Sequence, residues 1–259
     1  MSVLASNRLT GLVKSETTKL VTARPIWILA LVTVLGTWPM AWSNAASGVG
    51  IPSDDPRLYS SVPVPVEYQG FEMAGFGYVL VVALASLWAG SEYGAGQQVR
   101  TTLIATPQRL RVYLTKVVLL AVAVAFVAFL TMWGTLVITH AAGQTGIIPW
   151  ALSPAIWTNL GGVTLAWTLT ALIAFAVGVI ARTAILPLIL ITPLAIGIGD
   201  FLAGIWDGAK YLPTAAGAAL YSDPTTGTYL TPVAGGLVQA SWAIVLLTVA
   251  GIAFTRRDL

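Results

Sequence analysis

The sequence predicts an all-α integral membrane fold with six spans, on three observations. First, the 259-residue chain is 57% hydrophobic and only 9% charged, with mean hydropathy +0.83. Ordinary soluble domains carry about 25% charged residues, so the surplus apolar surface has to be solvated by lipid. Second, six largely uncharged runs cover residues 26–46, 71–90, 117–139, 155–181, 184–205 and 234–254. Each reaches the roughly 20 residues that a helix needs to cross a bilayer. Third, Lys and Arg fall almost entirely between alternate runs. Residues 1–259 read as one transmembrane domain, without internal repeats or a soluble module.

The first run, 26–46, is too long for the apolar core of a signal peptide, and no small-residue cleavage site follows it. Glu72 opens the second run and belongs at headgroup level. The fourth and fifth are joined only by Arg182 and Thr183, which makes them a tight helical hairpin. Placing the N-terminus in the cytoplasm puts Arg8, Lys14, Lys19, Arg24, Arg100, Arg109, Arg111, Lys116, Arg182, Arg256 and Arg257 inside. Arg57 and Lys210 then lie outside, eleven against two. The opposite topology would invert that ratio, so both termini are expected inside, in a cell's inner (cytoplasmic) membrane. The net charge of +3 is then a topology signal, and nucleic acid is not an expected partner.

Residues 8–24 place Leu9, Leu12, Val13, Leu20 and Val21 at helical spacing, with Lys14, Glu16 and Lys19 among them. That pattern suits a helix lying along the inner interface, as a plain anchor or as a contact for a partner. Pro25 suits the turn into the first span. Residues 47–70, with Pro52, Pro56, Pro63 and Pro65, read as an irregular outer loop. Many of the tryptophans, including Trp27, Trp38, Trp42, Trp88, Trp150 and Trp206, fall near span boundaries, as in an aromatic belt.

The longest inner polar segment is residues 91–116, SEYGAGQQVRTTLIATPQRLRVYLTK. Gly94 and Gly96 should break the second helix, and residues 97–105 suit a short helix presenting Val99, Leu103 and Ile104 beside Arg100. Thr106-Pro107 is a helix-start signal, after which Arg109, Arg111 and Lys116 lead into the third span. The pattern fits a lever that passes a soluble partner's motion into two spans. It equally fits a surface helix whose charges obey the positive-inside rule.

Glu92, Gly94, Arg100-Thr101-Thr102-Leu103, Pro107, Arg109 and Lys116 together resemble permease subunits of type-2 ATP-binding-cassette exporters. Lys14–Arg24 before Pro25-Ile26-Trp27 is similar to the amphipathic helix that precedes the first span in that family. Tyr211-Leu212-Pro213 with Ala215, Ala216 and Gly217, and the ending Arg256-Arg257-Asp258, are similar to actinobacterial members. The resemblance implies a permease that pairs with a second permease subunit, either another copy in a homodimer or a relative, and binds two cytoplasmic ATPase subunits. ATP and Mg would belong to those partners, with no cofactor on this chain. Residues 97–105 would be the coupling helix, with Glu92, Val99, Arg100, Leu103, Ile104 and Arg109 as coupling residues. Residues 208–233 would be a re-entrant segment; an ordinary outer loop is the other reading.

Other classes fare worse on the residues alone. No Gly-x-x-x-x-Gly-Lys-Ser/Thr loop is present to cradle phosphates, so energy has to come from another polypeptide or from an ion gradient. A gradient-driven secondary transporter usually carries ionisable groups at mid-membrane, and here only Asp200, near the outer end of its run, approaches that. The lack of cysteine and the single histidine, His140, leave no thiolate or His-cluster metal site. His140 has no evident nucleophile beside it, and catalysis by this chain is not expected. The exporter resemblance implies a hydrophobic or amphipathic cargo: a drug, an antibiotic peptide or an envelope component. Phe129, Trp133, Thr164, Trp167 and Thr168 are candidates for its path, with helix packing as the competing explanation. Pro187 and Pro193 are candidate hinge residues, or simply shape the packing of the fifth span.

Overall fold

The computed structural model describes residues 2–50, 64–93, 108–148, 151–223 and 230–256, with residues 2–9 and 200 described as backbone alone. Its helices are α1 (Ser2–Thr22), α2 (Arg24–Ser47), α3 (Ala74–Ser91), α4 (Arg109–Ala142) and α5 (Pro154–Ala181). Then follow α6 (Ile185–Pro193), α7 (Gly199–Ile205), α8 (Pro213–Ala218) and α9 (Pro232–Arg256). Among the described residues, five segments are long and apolar enough to cross a membrane: α2, α3 with the short turns before it, α4, α5 and α9. Their mean hydropathy runs from 1.5 to 2.5. The chain is therefore a multi-pass, all-α membrane protein.

The helix limits follow local chemistry. Ser153 caps α5 by accepting the Ile156 amide, with Pro154 at the first helical position, where its missing N–H costs nothing. Arg182, in the left-handed conformation, ends α5, and α6 starts three residues later, as the hairpin expectation required. α1 begins earlier than residue 8 and is separated from α2 by Ala23 alone. α4 begins eight residues before the expected 117 and runs for 34 residues, about 51 Å at the usual rise. Within residues 47–70, Val66–Tyr68 is a short 3-10 turn, and a second one, Phe71–Met73, opens the expected second run ahead of α3.

The expected fifth span is not one continuous helix. α6 ends at Pro193, a π turn covers Leu194–Ile198, and α7 adds only seven residues. The break sits at Gly197, with φ 110° and ψ 0°, a conformation a side chain would strain. Of the two prolines, Pro187 is in the first turn of α6, where a missing N–H is harmless, and Pro193 is its last residue, directly before the π turn, where the missing N–H takes a bond from the helix.

α5 is the centre of the bundle. Residues 170–176 are buried without interruption, the mark of a helix enclosed on all sides. α3, α4 and α9 pack around it, and α2 packs on α3 and α4. α2 buries the stripe Ile26, Ala30, Thr33, Thr37 and Ala41, and Trp38 Nε1 donates to the Thr131 carbonyl of α4 at 3.1 Å. α9 buries Gln239 and Phe254 together with Gly235, Ala243, Ala250 and Gly251, small residues that let backbones approach. Tyr113 OH donates to the Leu247 carbonyl at 2.7 Å and fastens α4 to α9.

Residues 207–221 form a cap at the end of the bundle where α5 and α9 begin. A Cβ on Gly162 would overlap the Leu220 carbonyl, and one on Gly235 would overlap that of Ala216. The cap backbone therefore lies directly on α5 and α9. Trp242 Nε1 adds a bond to the Tyr211 carbonyl at 2.9 Å.

Candidate functional site

At the end of the bundle where α1 lies, the chain buries three charges and sets a fourth, half-buried one beside them. In α1, Leu12, Glu16 and Leu20 are four residues apart, so they share one stripe, and all three are buried. The stripe brings Glu16 against α4. Lys116 Nζ donates to Glu16 Oε2 and, at 2.6 Å, to Glu92 Oε1 just past α3. Lys19 Nζ donates to Glu16 Oε1 at 2.7 Å and stands 3.9 Å from Glu92 Oε1. Glu16, Glu92 and Lys116 are at most 3% exposed. Lys116 Nζ also lies 5.1 Å from the centre of the Trp88 ring, one turn before Glu92.

Two carboxylates and two ammonium groups balance, which is how a bundle tolerates charge out of water. The satisfaction is incomplete, for Glu92 Oε2 and Trp88 Nε1 are buried without a hydrogen-bond partner. The cluster ties three elements at one point: α1, the end of α3 and the start of α4. Lys14, Arg24, Arg111, Arg182 and Arg256 are exposed at the same end of the bundle.

A second polar cluster sits among α3, α5 and α9 towards the cap. Gln239 Nε2 donates to the Ala166 carbonyl at 3.0 Å and to Thr170 Oγ1 at 2.9 Å, and lies 3.4 Å from Tyr78 OH. Tyr78 OH and Thr170 Oγ1 are 2.9 Å apart. Gln239 is fully buried, and its Oε1 has no partner. Gly217 of the cap rests on the Gln239 amide, within 2.7 Å of where its own Cβ would be. Trp167, beside this cluster, lies edge-on to Tyr78, and its ring fills the space that a Cβ on Gly77 would need.

The sequence-derived site residues distribute as follows. Val99, Arg100, Leu103 and Ile104 lie outside the described residues, as do Gly94, Gly96 and the whole 97–105 helix. Glu92 and Arg109 are described: Glu92 is in the charged cluster, and Arg109 is half-buried at the first residue of α4. Phe129 is exposed and stacks on Trp157, with ring centres 6.4 Å apart. Trp133, Thr164 and Thr168 are half-buried, and both threonine hydroxyls bond back to their own helix. Trp167, by contrast, is fully buried as a packing residue. Trp88 departs from the aromatic-belt expectation, being buried under Lys116, while Trp27, Trp42 and Trp206 are exposed near helix ends. His140 is buried, its Nδ1 3.0 Å from Thr145 Oγ1.

Sequence reasoning missed the pairing of Glu16, Glu92 and Lys116, and it missed Gln239. The signals were present. Glu16 falls on an apolar stripe between Leu12 and Leu20, and Gln239 is a strongly polar side chain inside an apolar span.

The fold defines the class as a multi-spanning all-α membrane protein. No known family model matches the chain, and no curated protein matches it at a significant level.

Proposed function

We propose that this chain is the membrane-spanning permease subunit of an ATP-driven exporter of the type-2 ATP-binding-cassette kind, with the α1 end of the bundle facing the cytoplasm. In this reading two such subunits enclose the path of an apolar or amphipathic cargo. Separate ATPase subunits hydrolyse ATP and push on residues 97–105. The break at Gly197 and the packed cap are compatible with residues 184–205 as a sixth, interrupted span and with the cap as a re-entrant segment.

The observation that carries the reading is the charged cluster. Glu92 precedes residues 94–107 and Lys116 follows them, and the two bond directly to each other and to α1. Both stems of the expected coupling segment are thus locked to one another and to the amphipathic helix. A force on that segment reaches α1, α3 and α4 as one body, which is what a lever between an ATPase and two spans requires.

The test is co-purification of the chain with a cytoplasmic ATPase encoded beside it. The wild-type chain should retain the ATPase. Arg100→Glu, or Leu103→Ser with Ile104→Ser, should lose it while still inserting in the membrane. Transport that survives ATP depletion but collapses with the proton gradient would overturn the reading in favour of a secondary transporter.

A further inference from the structure

Among the described residues, α3 with its C-cap Glu92 is the one helix that reaches both polar clusters. Tyr78, Val82, Ala85, Ala89 and Glu92 fall 4, 7, 11 and 14 residues from the first of them, which places all five on one face. All five are buried. Tyr78 meets Thr170 at one end of this stripe, and Ala89 meets Gly178 near the other. From Tyr78 to Glu92 is about 21 Å of helix with no proline. The stripe is made of small or β-branched residues between its polar ends, so α3 lies closely along α5 and has little room to bend.

The far end of this strut is an incompletely satisfied polar node. An amide nitrogen carries two hydrogens, yet Gln239 Nε2 has three oxygen neighbours within 3.4 Å, while Oε1 has none. Turned over, Oε1 would face the Ala166 carbonyl oxygen and the NH2 would have no acceptor, so the observed orientation is the better one. Of its three neighbours Tyr78 OH is the most distant, at 3.4 Å, so a small shift of α3 makes or breaks that contact. The cap reads the outcome because Gly217 rests on that amide.

We infer that α3 is a rigid strut that couples the Glu16–Lys116–Glu92 cluster at one end to the Tyr78–Thr170–Gln239 node and the 207–221 cap at the other. A displacement at either end is transmitted to the other, whatever energy source drives the protein. This makes Tyr78 and Gln239 positioning residues for the cap.

The chain has no cysteine, so single reporter cysteines can be read without background. Ser91→Cys reports on the exposed last residue of α3, and Ser222→Cys on the half-buried end of the cap. The readout is the rate of maleimide labelling of the purified full chain in lipid nanodiscs. Tyr78→Phe and Gln239→Leu should each change the Ser91→Cys rate by more than about twofold, a modest coupling by the standards of linked sites. Glu92→Gln should change the Ser222→Cys rate, because coupling between two sites is reciprocal. Thr248→Val, exposed on α9 away from both clusters, should leave both rates unchanged. If Gln239→Leu does not fold, Tyr78→Phe removes a single oxygen and carries the test alone. An unchanged Ser91→Cys rate in folded Tyr78→Phe protein, an unchanged Ser222→Cys rate in Glu92→Gln, or an equal change in Thr248→Val would each overturn the inference.

Discussion

At one end of α3 the polar groups are two buried carboxylates, a buried ammonium and a half-buried one; at the other they are a buried amide, phenol and hydroxyl. Both clusters join three elements, but they differ in what happens when a member is removed. A buried ion pair gains little over an apolar replacement of the same shape, yet losing one partner strands the other's charge. A neutral network inside a membrane protein costs less to break, because each hydrogen bond there contributes only about 0.6 kcal/mol on average. The charged end thus demands complete assembly of α1, α3 and α4, while the neutral end tolerates rearrangement. One end suits a fixed joint and the other an adjustable one.

The largest expected effect is Lys116→Met, which leaves Glu16 and Glu92 with Lys19 alone. It should cost about 3–5 kcal/mol of stability, read as unfolding of the detergent-solubilised chain. Combining it with Glu16→Gln and Glu92→Gln should recover more than half of that loss. A triple variant no better than Lys116→Met would show that packing, and not stranded charge, sets the difference between the two ends. Next comes Gly77→Ala, whose methyl group would overlap the buried Trp167 ring. Overpacking of this kind costs about 1–3 kcal/mol, measured by the same unfolding assay. Gln239→Leu should be milder, at about 1–2 kcal/mol, and a loss as large as that of Lys116→Met would erase the contrast. Smallest is Lys14→Ala, at an exposed position on α1. Its melting curve should match the wild type.

Much of the fold was legible from sequence because hydropathy acts over whole segments. α2, α5 and α9 lie within two residues of the expected runs, and Ser153-Pro154 and the Arg182-Thr183 hairpin follow from local rules. The interruption at Gly197 was hidden because glycine is ordinary in membrane helices, whereas Pro193 marks where α6 gives way to the π turn. The charged cluster was only half legible. Lys116 read as one more inside-facing cation and Glu92 as a contact for a partner. That they seek each other depends on α1 folding back onto α4, a tertiary event no local pattern encodes. Gln239 was passed over because attention went to ionisable groups, although an amide inside lipid needs a partner just as much.

The length of α4 has a bearing on where this protein can reside. Its uncharged stretch, residues 117–139, measures about 35 Å as a helix, against about 30 Å for an average hydrocarbon core. Lys116, at the foot of that stretch, is fixed by Glu16 and Glu92, so the helix has no freedom to slide until its length suits the lipid. The mismatch is taken up by tilting α4 or by thickening the surrounding bilayer. The charged cluster thereby acts as a depth stop, and bilayers with longer acyl chains should hold the protein in its least strained state.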